Sequence, residues 1–181
     1  MNPSLNSESH TWDLNEMEEV HLTILKQAVD DIAYGQTEDG RRRLFPHPLG
    51  EEESFLEEEF LEDWREFVSD ELEERFGADV KLFLDDLAKA QSEEVELEDG
   101  EKIQLFHLSL PMDHGPSWFS TLNQARLMMD QKWKFHNEND QFVPFLTPAV
   151  LGDLNPQERF AAYLRYDVYC MIQEWLVKNV L

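Results

Sequence analysis

The chain has 181 residues, with 39 acidic against 15 basic side chains, a net charge of −24 and a sequence pI near 4.4; such a field repels phosphate backbones and argues against direct nucleic-acid binding. A hydrophobic share of 41% and an aromatic share of 12% exclude the profile of a disordered chain and supply a core for one domain. The single cysteine, Cys170, excludes an internal disulfide and a multi-cysteine metal site, and no apolar run reaches the length of a bilayer span, so a cytoplasmic protein outside the membrane is expected.

Residues 1–12 read as a frayed N-terminus, leaving 13–181 as a single helical domain. Asp13 and Glu16 have the spacing of a capping box, and Met17, Val20, Ile24, Leu25, Ala28, Val29 and Ile32 repeat at helical intervals until Gly35. Gly40, Pro46, Pro48 and Gly50 make 36–50 a loop, which carries the basic run Arg41, Arg42 and Arg43. A second helix is predicted from the Ser54 and Glu57 caps to Phe76, with Phe60, Trp64, Phe67, Val68 and Leu72 buried and Gly77 ending it. A third, carrying Val80, Phe83, Leu84, Leu87 and Ala88, should fold back on the second. Over 94–108 the period shortens to two, with Val95, Leu97, Ile103 and Leu105 around Asp99 and Gly100, which predicts a β-hairpin.

Pro116 opens a fourth helix whose core side is Trp118, Phe119, Leu122, Ala125, Met129 and Trp133. After a loop containing Pro144, Pro148 and Gly152, the triplet Asn155, Pro156 and Glu158 marks the start of the last helix. Its buried face is read as Phe160, Leu164, Val168, Met171, Ile172, Trp175, Leu176 and Val180, and its length makes it the expected spine. The fold class expected is therefore mainly α: about five helices in one bundle-like domain, with a small hairpin between helices three and four.

Little in this pattern carries chemistry. The acidic stretches within 51–101 lie on helical or pre-helical chain without the glycine turn of a calcium loop. The six histidines form no zinc spacing, so no metal and no cofactor is expected. Asp113 and His114 adjoin at a helix start, where such residues also serve local turns. Cys170 sits among apolar neighbours as a small hydrophobe. No feature argues positively for an enzyme.

The more informative groups lie on the last two helices. Asn123 and Arg126 project from one side of the fourth, Asp167 and Glu174 from one side of the fifth, and the expectation is a polar seam of Asn123, Arg126, Tyr166, Asp167, Gln173 and Glu174 with a partly buried Arg126–Asp167 pair supported by Asn123 or Gln173. The alternative is that these are ordinary surface groups. In the loop before the last helix, Phe142, Val143, Phe145 and Leu146 are candidate partner contacts, although a loop tucked onto the core explains them equally well.

Arg43, Leu44 and Pro46, then Trp118, Leu122, Asn123, Arg126 and Leu127, then Tyr166, Asp167, Ile172, Gln173, Glu174, Leu176 and Val177 resemble a bacterial family known as domain of unknown function 2017, with this chain as a distant member. The resemblance implies a helical cytosolic protein with no assigned activity and an association with Clp-type proteolysis. The leading expectation is a protein-interaction or regulatory module that meets an unidentified protein partner, such as one with a basic surface. The runner-up is a small-molecule or metal-assisted enzyme with a site between the last two helices around Asn123, Arg126, His114 and Asp167. Mimicry of nucleic acid by the acidic face is a third possibility.

Overall fold

The computed structural model describes residues 1–45, 70–136, 141–143 and 154–181. In chain order the elements are β1 (Asn2–Asn6), β2 (Thr11–Met17), α1 (Glu19–Ile32), α2 (Glu38–Leu44), α3 (Asp70–Leu87), β3 (Gln91–Glu96), β4 (Lys102–Pro111), α4 (Gly115–Trp133) and α5 (Pro156–Asn179). The four strands form one antiparallel sheet in the order β1-β2-β4-β3. The fold is thus α+β, which corrects the expected mainly helical bundle. The expected helix start at Ser54, with Phe60, Trp64, Phe67 and Val68, lies outside the described residues.

The N-terminal residues account for most of that correction. Trp12 and Leu14 alternate along β2 and are fully buried, opposite Leu110 and Leu108 of β4. This period-two pattern is short because the register shifts between Leu14 and Met17, where Glu16 has a φ of 54°. Such a bulge breaks the alternation, and it placed Met17 at a spacing that suits a helix. Residues 1–12 are therefore strand and turn rather than a frayed end, and Asp13 lies in β2 rather than at a helix cap. α1 begins later, where the Glu18 backbone N–H donates to His21 Nδ1 at 3.1 Å. The hairpin predicted at 94–108 exists as β3 and β4, but as half of the larger sheet, with Gly100 in the left-handed region at φ 83° as its turn demands.

Two helix boundaries also move. The segment read as a loop contains α2, capped by Thr37 Oγ1, which accepts from the Gly40 N–H at 3.1 Å. A Cβ at Gly40 would collide with the Tyr34 carbonyl and Gly35 Cα, so this glycine permits a close approach and does not mark a break. Gly77 lies inside a continuous α3, so no separate third helix folds back there. An interior glycine costs about 1 kcal/mol relative to alanine, and burying Phe83 and Leu87 on the same helix outweighs it.

The helix at the centre is α4, which packs against α1, α2, α3 and α5. Trp118, Leu122, Ala125, Met129 and Trp133 are buried as the sequence pattern predicts, while Phe119 is half-buried. Trp118 meets Trp12 edge to face at 5.1 Å and Phe83 at 4.4 Å, which joins sheet, α3 and α4 in one aromatic core. Trp175 of α5 reaches the same cluster 5.9 Å from Trp12.

Candidate functional site

Helix α5 starts as its sequence predicts, with Asn155 Oδ1 accepting from the N–H groups of Gln157 at 2.9 Å and Glu158 at 3.3 Å. Its buried face differs from the expected one. Arg159, Ala162, Tyr166, Tyr169, Ile172, Gln173 and Leu176 turn inward, whereas Phe160, Leu164 and Met171 are exposed. An apolar-periodicity reading favours whichever stripe has more hydrocarbon, and here the inner stripe mixes apolar with polar groups.

Those inner polar groups are paired. Arg126 Nη1 donates to Gln173 Oε1, Nη2 donates to the Tyr166 hydroxyl at 3.1 Å, and the guanidinium lies 4.9 Å from the centre of the Tyr166 ring. Gln173 Nε2 in turn donates to the Phe119 carbonyl at 3.0 Å, tying α5 to α4. The structure therefore brings together Arg126, Tyr166 and Gln173, with Asn123 half-buried nearby on α4. The expected Arg126–Asp167 pair does not form. Consecutive helical residues are about 100° apart, so an arginine that reaches Tyr166 and Gln173 faces away from Asp167. Asp167 and Glu174 are exposed, and Glu174 meets Lys178 at 3.7 Å. His114 is not in this seam, and Leu122, Ala125, Met129, Ile172 and Leu176 there are fully buried or nearly so. Burial pushes the Tyr166 hydroxyl up despite the bond from Arg126, and burial likewise pushes the Cys170 thiol up.

Three further polar clusters escaped sequence reasoning. Arg165 forms a forked pair with Asp31 of α1 at 2.7 and 3.0 Å, and the Tyr169 hydroxyl lies 3.0 Å from the same carboxylate and 2.9 Å from the Ile24 carbonyl. Burial, then the Asp31 charge, raises the Tyr169 pKa well above its ordinary value. Arg159 donates to the carbonyls of Trp133 at 2.9 Å, Lys134 at 3.1 Å and Val143 at 2.8 Å, so a side chain of α5 satisfies the end of α4, where Lys134 adopts φ 52°. On α3, the buried Asp86 accepts from Lys89 Nζ at 2.8 Å, Trp118 Nε1 at 3.0 Å and His114 Nδ1 at 2.8 Å. Burial would raise this carboxyl, but the bonds from Lys89, Trp118 and His114 and the charge of His114 bring it below its ordinary value. The partner of His114 is thus Asp86, not the adjacent Asp113. One signal was available in the sequence: Asp86 falls between Phe83 and Leu87, inside an apolar stripe.

The outer face of α5 is the candidate site. Phe160, Leu164, Asp167, Met171 and Glu174 follow at intervals of four and three, which places them in one stripe along the helix. Phe160 and Leu164 keep 49% and 48% of their surface in solvent. Phe142, 44% exposed, extends the patch: its ring stacks on Tyr166 at 5.9 Å and meets Tyr163 at 5.8 Å, and Tyr163 meets Phe160 at 6.3 Å. Val143 is held by its N–H to the Phe135 carbonyl at 2.6 Å and by Arg159. Phe145 and Leu146 lie outside the described residues.

Among the described residues no helix is long and apolar enough to cross a membrane. A profile of the family described as "Domain of unknown function (DUF2017)" matches residues 9–180. No curated protein and no solved structure matches the chain.

Proposed function

The chain belongs to the DUF2017 family, and we propose that it acts there as a protein-interaction module whose docking surface is the outer face of α5. The observation that carries this reading is the stripe of Phe160, Leu164 and Met171, continued by Phe142 and Tyr163 and interleaved with Asp167 and Glu174. Contiguous exposed aromatic and aliphatic side chains are the usual mark of a surface meant for a partner. With a net charge of −24, the complementary surface is basic and apolar, as on an amphipathic helix bearing Lys or Arg beside its hydrophobic positions. The same charge opposes a second copy of this chain and a nucleic acid at that face.

The proposed setting is the cytoplasm, and the family resemblance makes Clp-type proteolysis the process in which to seek the partner. Site-specific photocrosslinking tests the reading. A photoreactive residue at Phe160 should capture a basic protein more strongly at low than at high salt, and Leu164→Asp should abolish capture. Equal capture from Glu93, on the exposed edge strand β3, or indifference to Leu164→Asp would overturn the proposal.

A further inference from the structure

Of the two acids in the outer stripe of α5, Glu174 meets Lys178 at 3.7 Å, whereas Asp167 has no basic partner among the described residues. An unpaired surface acid is ordinary in so acidic a chain; what sets Asp167 apart is the ring beside it. Phe142 keeps 44% of its surface in solvent, and its ring packs on Tyr163 at 5.8 Å and on Tyr166 at 5.9 Å. Asp167 follows Tyr163 by one helical turn, and a helical side chain leans back toward the residue four before it, so the carboxylate and the exposed ring border the same tyrosine. The same two elements hold a guanidinium elsewhere in the chain. Arg41 donates from both terminal nitrogens to Glu73, at 3.0 and 3.2 Å, while its guanidinium lies 5.6 Å from the centre of the Phe45 ring. A guanidinium suits such a pair because its flat face stacks on a ring while its edge forks a carboxylate, a geometry that a lysine ammonium does not share.

We propose that Phe142 and Asp167 anchor an arginine side chain of the protein that docks on α5, with its guanidinium stacked on Phe142 and forked to Asp167. This inference rests on the docking reading above and adds to it what the partner presents: an arginine, in preference to a lysine, fixes where it sits. The net charge of −24 draws a cation to this face and opposes an anion. Phe160, Leu164 and Met171, exposed on the same side of the helix, meet the apolar positions that flank the arginine.

Nuclear magnetic resonance titration of the whole chain with N-acetylarginine methylamide, which carries no terminal charge, tests the anchor without the partner; N-acetyllysine methylamide is the control of equal charge. Saturable shifts are expected at the backbone amides of Phe142, Val143, Tyr163 and Asp167, with the arginine probe bound about two- to fivefold more tightly than the lysine probe. Asp167→Asn should weaken the arginine probe about two- to fivefold, and so should Phe142→Leu, which keeps apolar bulk but removes the ring face. Glu174→Gln should leave it unchanged. No saturable shift, equal binding of the two probes, shifts at Glu93 and Glu94 of β3 as large as those at Tyr163 and Asp167, or full binding in either Asp167→Asn or Phe142→Leu would overturn the proposal. Any of these results, together with salt-sensitive capture of a basic protein from Phe160, would remove the anchor and leave the docking surface standing. Loss of capture with the probes binding as expected would remove the docking reading and leave the guanidinium site.

Discussion

The two faces of α5 depart from the ordinary arrangement of a surface helix in opposite ways. Its inner face carries Arg159, Tyr166, Tyr169 and Gln173 into the interior, while its outer face leaves Phe160, Leu164 and Met171 in solvent. The inner groups are tolerated because each finds a specific partner: Arg159 the end of α4, Tyr166 and Gln173 the Arg126 guanidinium, and Tyr169 the Asp31 carboxylate. A helix fixed by such bonds has one register, because sliding it by a residue would strand several buried polar atoms at once. The outer groups have no such partners among the described residues, and their exposure is what function has to explain.

The sharpest test of this contrast is the Arg165–Asp31 pair, which lies mostly out of solvent. Asp31→Ala should cost about 3 kcal/mol, since it leaves the guanidinium unpaired; urea unfolding measures this, and a loss below about 1 kcal/mol would remove the claim that paired polar groups fix the inner face. Arg126→Ala comes next at about 1 to 3 kcal/mol, the cost of orphaning neutral partners and not a carboxylate. A double-mutant cycle with Gln173→Leu should show coupling, whereas a cycle with Asp167→Ala should show none.

Asp86 extends the comparison to α3. Its folded pKa is depressed, so its contribution is complete above about pH 4, the ordinary carboxylate range, and is lost as pH falls through the lower folded value. Asp86→Asn should lower stability at neutral pH and flatten the acid limb of a stability-against-pH curve; an unchanged acid limb would break the assignment. The smallest effect is expected outside. Phe160→Ser and Leu164→Ser should each change stability by less than about 0.5 kcal/mol, and Leu164→Ser should remove the crosslink made from a photoreactive residue at Phe160. A large destabilisation there would mean that the stripe is core and not a docking surface.

Much of the helical frame was legible. Trp118, Leu122, Ala125, Met129 and Trp133 were readable from their spacing, as were the Asn155 cap and the hairpin turn at Gly100, because each signal is local. Strand β2 was not, since its two-residue alternation at Trp12 and Leu14 is interrupted by a bulge and its partner β4 is distant in sequence. For the seam, Arg126, Tyr166 and Gln173 were singled out together with Asp167, but that Arg126 meets Tyr166 and not Asp167 depends on how α5 is rotated against α4.

The amino-acid order alone determined the acidic field, the positions where α4 and α5 begin and the family to which the chain belongs, because composition, caps and motifs act over a few residues. Tertiary structure alone decided that the N-terminus closes a sheet, that His114 serves Asp86 and that α5 carries Arg159, Tyr166, Tyr169 and Gln173 on its inward face. Each of those outcomes rests on hydrogen bonds between groups far apart in the chain, and the energy of burying a polar atom depends on whether its partner is there to meet it.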